Sequence, residues 1–324
     1  MFRYYKSFLG TLAVSILLVL PAAAASNATP GMLNYVEGQV TVAGQMVTSH
    51  SVGMVQLEAN QVLETGQGRA EILLTPGVFL RVGDNSAVRL VSPGLTNTRV
   101  EVLRGQAIVE AAELFNDNNL WVMMNGASIR LDKEGLYAFN ANTQLVQVFD
   151  GRATLEQNDR RKELGKGREI VLSGTGKVEH FDTKAAASGD PLYAWSNLRS
   201  EYEAQASMQS ARNIFVGGTP YWYGPGWYWN PSWAMYGFIP GDGIWYSPFG
   251  WPFYSPWVAY GYGFGFGGYG RFGPAFVGHG HVSGAAIASS RGLAGSARLG
   301  GGFGGHGFAS GMRGGFAGGG GGHR

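Results

Sequence analysis

Between residues 35 and 182 the chain is a series of short runs in which every second residue is apolar, separated by Gly, Asn, Asp or Pro. Alternation at period two marks strands with one buried face, and the separators are the residues that turns require. One run recurs. Val100-Glu101-Val102-Leu103-Arg104-Gly105-Gln106-Ala107-Ile108-Val109-Glu110 aligns without a gap to Val146-Gln147-Val148-Phe149-Asp150-Gly151-Arg152-Ala153-Thr154-Leu155-Glu156. A weaker copy runs from Leu33 through Tyr35 and Gly38 to Val40 and Val42. In each copy apolar residues alternate on both sides of a glycine placed where the buried face would change, the mark of a bulge or bend inside a strand. Hairpins precede the last two copies. Ala70-Glu71-Ile72-Leu73-Leu74 turns at Thr75-Pro76-Gly77 into Val78-Phe79-Leu80-Arg81-Val82, and Ala127-Ser128-Ile129-Arg130-Leu131 turns between Asp132 and Gly135 into Leu136-Tyr137-Ala138-Phe139. The predicted fold is mainly β: hairpin-plus-strand units that bury their apolar faces by stacking, as a compact sandwich or a short solenoid-like stack. This β domain is placed at residues 30–184.

The period then lengthens. Asp190-Pro191 combines an N-cap carboxylate with a proline in the first turn, where its missing N–H is harmless. Leu192, Trp195, Leu198 or Arg199, Tyr202 and Ala206 follow at helical spacing, which predicts one helix over residues 190–213. Arg199, Glu201 and Glu203 lie away from most of that stripe. Such a helix either covers an open end of the β stack or offers a face to a partner.

Residues 214–260 form an extension of a third kind. Tyr221-Trp222-Tyr223, Trp227-Tyr228-Trp229, Trp233, Trp245, Trp251 and Trp257 hold seven of the nine tryptophans, so the rings are a local concentration rather than ordinary core. Frequent Pro and Gly forbid a long helix or a central strand here. Rings this dense are costly in water and must pack on the β domain, on each other or on an external surface. Aromatic faces with polar edges suit sugar rings, peptides and interfaces, so these ten residues form the candidate binding surface. Residues 261–324 are low-complexity Gly with Phe, Tyr, Ala and Ser, expected to be disordered or to self-associate.

At the start, Arg3 and Lys6 precede an apolar run over residues 8–20, then Pro21 and four alanines. That order predicts a secretory signal over residues 1–25, in a run shorter than the ~20 residues of a membrane span. The alternative reading is an uncleaved anchor. Without Arg3 and Lys6, the 22 remaining basic residues balance the 22 acids, so no nucleic-acid partner is expected. The rest of the chain lacks an apolar stretch long enough for a transmembrane helix. The absence of cysteine excludes disulfides, thiolate metal sites and lipid attachment at a cysteine, and fits an oxidising compartment: periplasm, outer surface or medium.

Catalytic signatures are sparse. Gly265-Phe266-Gly267-Gly268-Tyr269-Gly270 spells a dinucleotide fingerprint by letter, but no helix or acid follows it. His50 and His180 have no close companion for a triad or zinc site, and His279-Gly280-His281 sits in glycine that preorganises nothing. Glu110, Glu113, Asp117 and Glu156 read as solvated strand-edge and loop carboxylates. No catalytic residue, cofactor or metal site is expected.

Glu37-Gly38-Gln39-Val40, Gly68-Arg69-Ala70-Glu71-Ile72-Leu73-Leu74-Thr75-Pro76-Gly77 and Leu80-Arg81-Val82-Gly83-Asp84-Asn85-Ser86 together resemble the FecR domain, with later matches at Val148-Phe149-Asp150-Gly151-Arg152-Ala153 and Leu164-Gly165-Lys166-Gly167-Arg168-Glu169. The resemblance covers residues 35–182 and implies an extracytoplasmic all-β module working by contact rather than catalysis. FecR regulators carry an anti-sigma segment and a membrane helix ahead of this domain. Here the signal segment leads almost directly into the β repeat, so the sigma-regulating role is not expected to transfer. The expected function is an exported binding module that contacts an envelope polymer or a protein partner through its aromatic extension. The alternative is a structural or adhesive envelope protein whose tail self-associates, with a sensory or regulatory role in envelope signalling, lacking an anti-sigma segment, as a further reading.

Overall fold

A computed structural model describes residues 28–173, 176–217 and 224–263. The expected signal segment, Tyr221, Trp222 and Tyr223, and the glycine-rich stretch from residue 264 lie outside the described residues. The first strands are β1 (Leu33–Val42), β2 (Gln45–Val47), β3 (Val62–Leu73), β4 (Val78–Val82), β5 (Ala87–Gly94), β6 (Asn97–Arg104) and β7 (Gln106–Ala111). They are followed by β8 (Leu120–Met124), β9 (Ala127–Leu131), β10 (Gly135–Asn140), β11 (Leu145–Asp150), β12 (Arg152–Gln157), β13 (Arg160–Gly165), β14 (Arg168–Val171) and β15 (Val178–His180). All belong to one sheet, in the order β13-β12-β9-β8-β6-β5-β3-β4-β7-β10-β11-β14-β15, with β1 paired to β3 and β2 to β1. Its pairs are antiparallel except β6 with β8.

Two features fold this sheet over. Strand β3 is shared: Val62, Leu63 and Glu64 pair with β5, whereas Ala70, Glu71, Ile72 and Leu73 pair with β4. The repeated glycines then carry the chain across. Gly105 joins β6 to β7 and Gly151 joins β11 to β12, and in each case the two strands lie in opposite halves of the pairing order. Gly105 has φ +73°, and a Cβ there would lie 2.2 Å from Ser86 Oγ; Gly151 has φ +92°, with Tyr137 Oη 2.3 Å from such a Cβ. Both positions therefore exclude a side chain on conformational and steric grounds. Within β1 the third copy makes the same bend, with a register shift between Gly38 and Val40.

Of the two stackings the sequence allowed, the chain adopts a single sheet folded around a shared core, with β13 brought against β11 and β14 so that it nearly closes. Val36, Leu80, Val100, Val122, Phe139 and Val148 enter that core from both halves. The alternation read from the sequence sets these inward positions.

The outer face around β4 is covered. Every residue of β4 is buried: Val78, Leu80 and Val82 face the core, and Phe79 and Arg81 face the covering layer. That layer begins with a short helix, α1 (Thr183–Gly189), capped by Asp182, which the sequence pattern did not indicate. Next comes α2 (Pro191–Val216), whose Asp190 cap accepts a hydrogen bond from Leu192 N at 2.8 Å. Two hairpins complete it: β16 (Gly226–Asn230) with β17 (Met235–Ile239), and β18 (Ile244–Tyr246) with β19 (Pro252–Tyr254), followed by α3 (Pro256–Gly263).

The buried face of α2 keeps Leu192, Trp195, Arg199 and Ala206 of the expected stripe and is polar for the rest. Leu198 and Tyr202 are exposed, while Ser196, Arg199, Ser200, Glu203, Ser207 and Ser210 are buried. The sheet explains the polar share. Its outward face presents Glu71, Arg81 and Glu110, and only a polar helix face can satisfy those groups. The hairpins bury apolar rings instead: Trp227, Tyr236, Phe238 and Phe253 pack with Met32, Leu73 and Phe79 in a second core.

Candidate functional site

The expected aromatic surface divides in two. Trp227 is 7% exposed, edge-on to Phe79 with ring centroids 4.9 Å apart, so it is core. Tyr228 is half-buried and donates from Oη to Gly224 O at 2.7 Å. Trp229 is half-buried against Tyr236 and lies so close to Gly53 that a Cβ there would meet its ring at 2.7 Å. Trp245 and Trp251 are half-buried against the second core, and their Nε1 atoms donate to Asp242 O and Asn197 Oδ1. These five rings build the covering layer rather than face outward: the four tryptophans pack in the cluster with Phe79 and Leu73 of the sheet, and Tyr228 packs against Ala211, Ile239 and Ala259.

Two rings of the candidate set stay open. Trp257 is 69% exposed and stands edge-on to Phe215 of α2 at 5.1 Å. Trp233 is 36% exposed, tilted against Tyr202 of α2 at 5.8 Å, with its Nε1 fixed on Gln209 Oε1 at 2.9 Å. Tyr246, outside the candidate set, is 56% exposed. Each tryptophan is propped by a second ring from α2, which sets its orientation while leaving area for contact.

Beneath α2 lies a buried charge cluster. Glu71 and Arg81 are cross-strand partners on β3 and β4, and Glu110 on β7 is opposite Phe79, diagonal to Arg81. Arg81 donates from Nε to Glu71 Oε2 at 2.8 Å, from Nη1 to Glu110 Oε2, and from Nη2 to Glu203 Oε2 at 3.1 Å. From α2, Arg199 Nη2 reaches Glu71 Oε1 at 2.9 Å, and Ser200 Oγ donates to Glu110 Oε1 at 2.7 Å. Asn34 on β1 ties the cluster to the extension: its Nδ2 donates to Glu71 Oε1 and Tyr236 O, and its Oδ1 accepts from Tyr236 N. The Arg199 guanidinium stacks 4.1 Å from the Tyr35 ring centroid.

Burial opposes every charge here, and the neighbours decide the outcome. For Glu71 burial is outweighed by Arg199, hydrogen bonding and Arg81, which hold its carboxyl well below the usual range. Glu203 goes the other way: burial and the adjacent Glu71 push it well above, despite both arginines. Burial also raises Glu110, in spite of Arg81 and Ser200. The reading of Glu110 and Glu113 as solvated carboxylates is thus corrected, since both lie within the fold. Glu113 is 6% exposed with Oε2 unpartnered, and burial, helped by Glu134 and Asp242, pushes its carboxyl up to about 7. Asp117, His50 and His180 are exposed. Among the described residues no group of three or more His, Asp or Glu is placed to hold a metal ion.

No family model matches the chain, and no curated protein matches it. Solved structures similar to it include two crystal structures of a "putative anti-sigma factor" from Parabacteroides distasonis, at 14% and 13% identity and TM-scores of 0.35 and 0.34. Each alignment covers 39% of this chain and 62% of the other, so the chain spans less than two thirds of the length of those proteins.

Proposed function

We propose that this chain is an exported, non-catalytic FecR-like module that contacts a cell-envelope component or a protein partner through the rings its extension leaves at the surface. The resemblance of residues 68–86 to the FecR domain supports the class, and the order of basic, apolar and small residues at the start supports export. The observation that carries the contact reading is the exposure of Trp257 and Trp233, each oriented by a ring of α2, beside neighbours committed to the core. Exposed, preoriented indoles lose little conformational freedom on binding and bury large area, as contact residues do. Co-sedimentation of the purified full chain with isolated envelope fragments tests this. The Trp233→Ala, Trp257→Ala double variant is expected to lose about tenfold in retention with an unchanged melting temperature. Undiminished retention rejects the assignment of contact to these rings.

A further inference from the structure

The charge cluster under α2 holds an odd number of groups. Three carboxyls, Glu71, Glu110 and Glu203, share two guanidiniums, Arg81 and Arg199, and the side chains are at most 5% exposed. With all three carboxyls ionised the interior would carry one uncompensated negative charge, which a site removed from water does not tolerate. One proton balances it.

Geometry indicates where that proton resides. Glu203 and Glu71 face each other, both reached by Asn34 Nδ2 and by Arg199 Nη2, so they compete for the same donors. Two adjacent carboxyls that share donors are best satisfied when one is protonated. The groups facing Glu203 are Glu71 from β3, Arg81 from β4, Glu110 from β7, Asn34 and the Tyr35 ring from β1, Arg199 and Ser200 on its own helix, and the Tyr236 backbone from β17. Burial and Glu37 raise the phenol of Tyr35 above its ordinary value.

The second observation is the polarity of the docked helix face. Between Trp195 and Ala211 the buried residues of α2 are Ser, Arg, Glu and Ala only. Apolar burial therefore contributes little to this stretch of the interface, and charge balance decides how firmly it sits.

We propose that the cluster is a proton-binding site that latches α2: one proton shared by Glu203 and Glu71 keeps the central turns of the helix docked, and its loss at alkaline pH loosens them. Hydrogen exchange of the full chain carrying Glu113→Gln, which removes the separate titration of that carboxyl, tests this after correction for intrinsic rates between about pH 6 and about pH 10. Protection of α2 peptides spanning residues 196–210 is expected to fall about tenfold at the alkaline end, while β8 and β12 keep theirs. Glu203→Gln, which leaves two carboxylates for two guanidiniums, is expected to remove the dependence. With Glu203 intact, α2 protection that is independent of pH overturns the proposal, as does a fall shared equally by β8 and β12. Should the Glu203→Gln variant not fold, infrared spectroscopy of the Glu113→Gln chain decides, because Glu113 would otherwise add a buried carboxyl band of its own. A buried protonated-carboxyl band present near neutrality and lost at alkaline pH supports the latch, and absence of that band near neutrality overturns it.

Discussion

Replacing Arg81 by methionine tests whether buried charge holds the covering layer in place. The guanidinium engages Glu71, Glu110 and Glu203 at once and is fully buried, so methionine keeps much of the volume and satisfies none of the three carboxyls. With Arg199 as the remaining cation, one further carboxyl must take up a proton to balance the interior. Each pH unit above an ordinary glutamate pKa near 4.3 corresponds to about 1.4 kcal/mol, so that proton costs about 3.7 kcal/mol near pH 7 and about 1 kcal/mol near pH 5. In the variant the folded state binds more protons than the unfolded one over this window, because its carboxyl pKa is raised, and stability therefore rises as pH falls. Arg81→Met is expected to lose about 4 kcal/mol near neutrality and only about 1–2 kcal/mol near pH 5, against a typical total of about 5–15 kcal/mol. Urea unfolding followed by tryptophan fluorescence, with wild type alongside at both pH values, gives both differences. A loss below about 1 kcal/mol near neutrality, or one of equal size at the two pH values, refutes the reasoning.

Three further outcomes are expected. Glu113, with a folded pKa of about 7, favours the native state below its unfolded pKa and loses that contribution as pH rises through the folded one. After allowance for screening, wild type should lose about 2 kcal/mol from this group between about pH 5 and about pH 8, and Glu113→Gln should flatten that part of the urea-midpoint profile. Gly105→Ala should destabilise by about 3 kcal/mol, whereas Gly126→Ala, with φ +77° but open space around it, should cost about 1 kcal/mol; thermal melts compare the two. Phe238→Ala, fully buried against Trp227 and Phe253, should cost about 3–5 kcal/mol, and Trp257→Ala less than about 0.5 kcal/mol, by the same unfolding assay.

The folded sheet was legible because its signals are local and agree. Alternation and glycine placement in the three copies specify both the inward positions and the corners at Gly38, Gly105 and Gly151, and Pro76-Gly77 and Asp190-Pro191 announce a turn and a helix start within a few residues. The covering layer was not legible, because its logic is long-range. Arg199 and Glu203 read as solvent-facing until their partners, 128 and 122 residues earlier, are brought beneath them. A weak hint exists: Arg81 and Glu110 are the lone charges of β4 and β7, strands otherwise nearly all apolar. The division of the tryptophans followed no local rule either. Trp227 is buried and Trp257 exposed because Phe79 and Leu73 lie under one hairpin, while α3 sits at the far end of α2.

The span between Arg81 and Glu203 also orders events as the polypeptide emerges from its N-terminus. A nascent chain that has not yet delivered α2 presents a hydrated, charged strand surface with Phe79 uncovered beside it, and has no means of sealing either. Closure needs contacts as distant as Asn34 with Tyr236, so it is tied to completion of the helix and hairpins. Chains that stop short of α2 and its hairpins are therefore expected to keep that strand surface open to proteolysis.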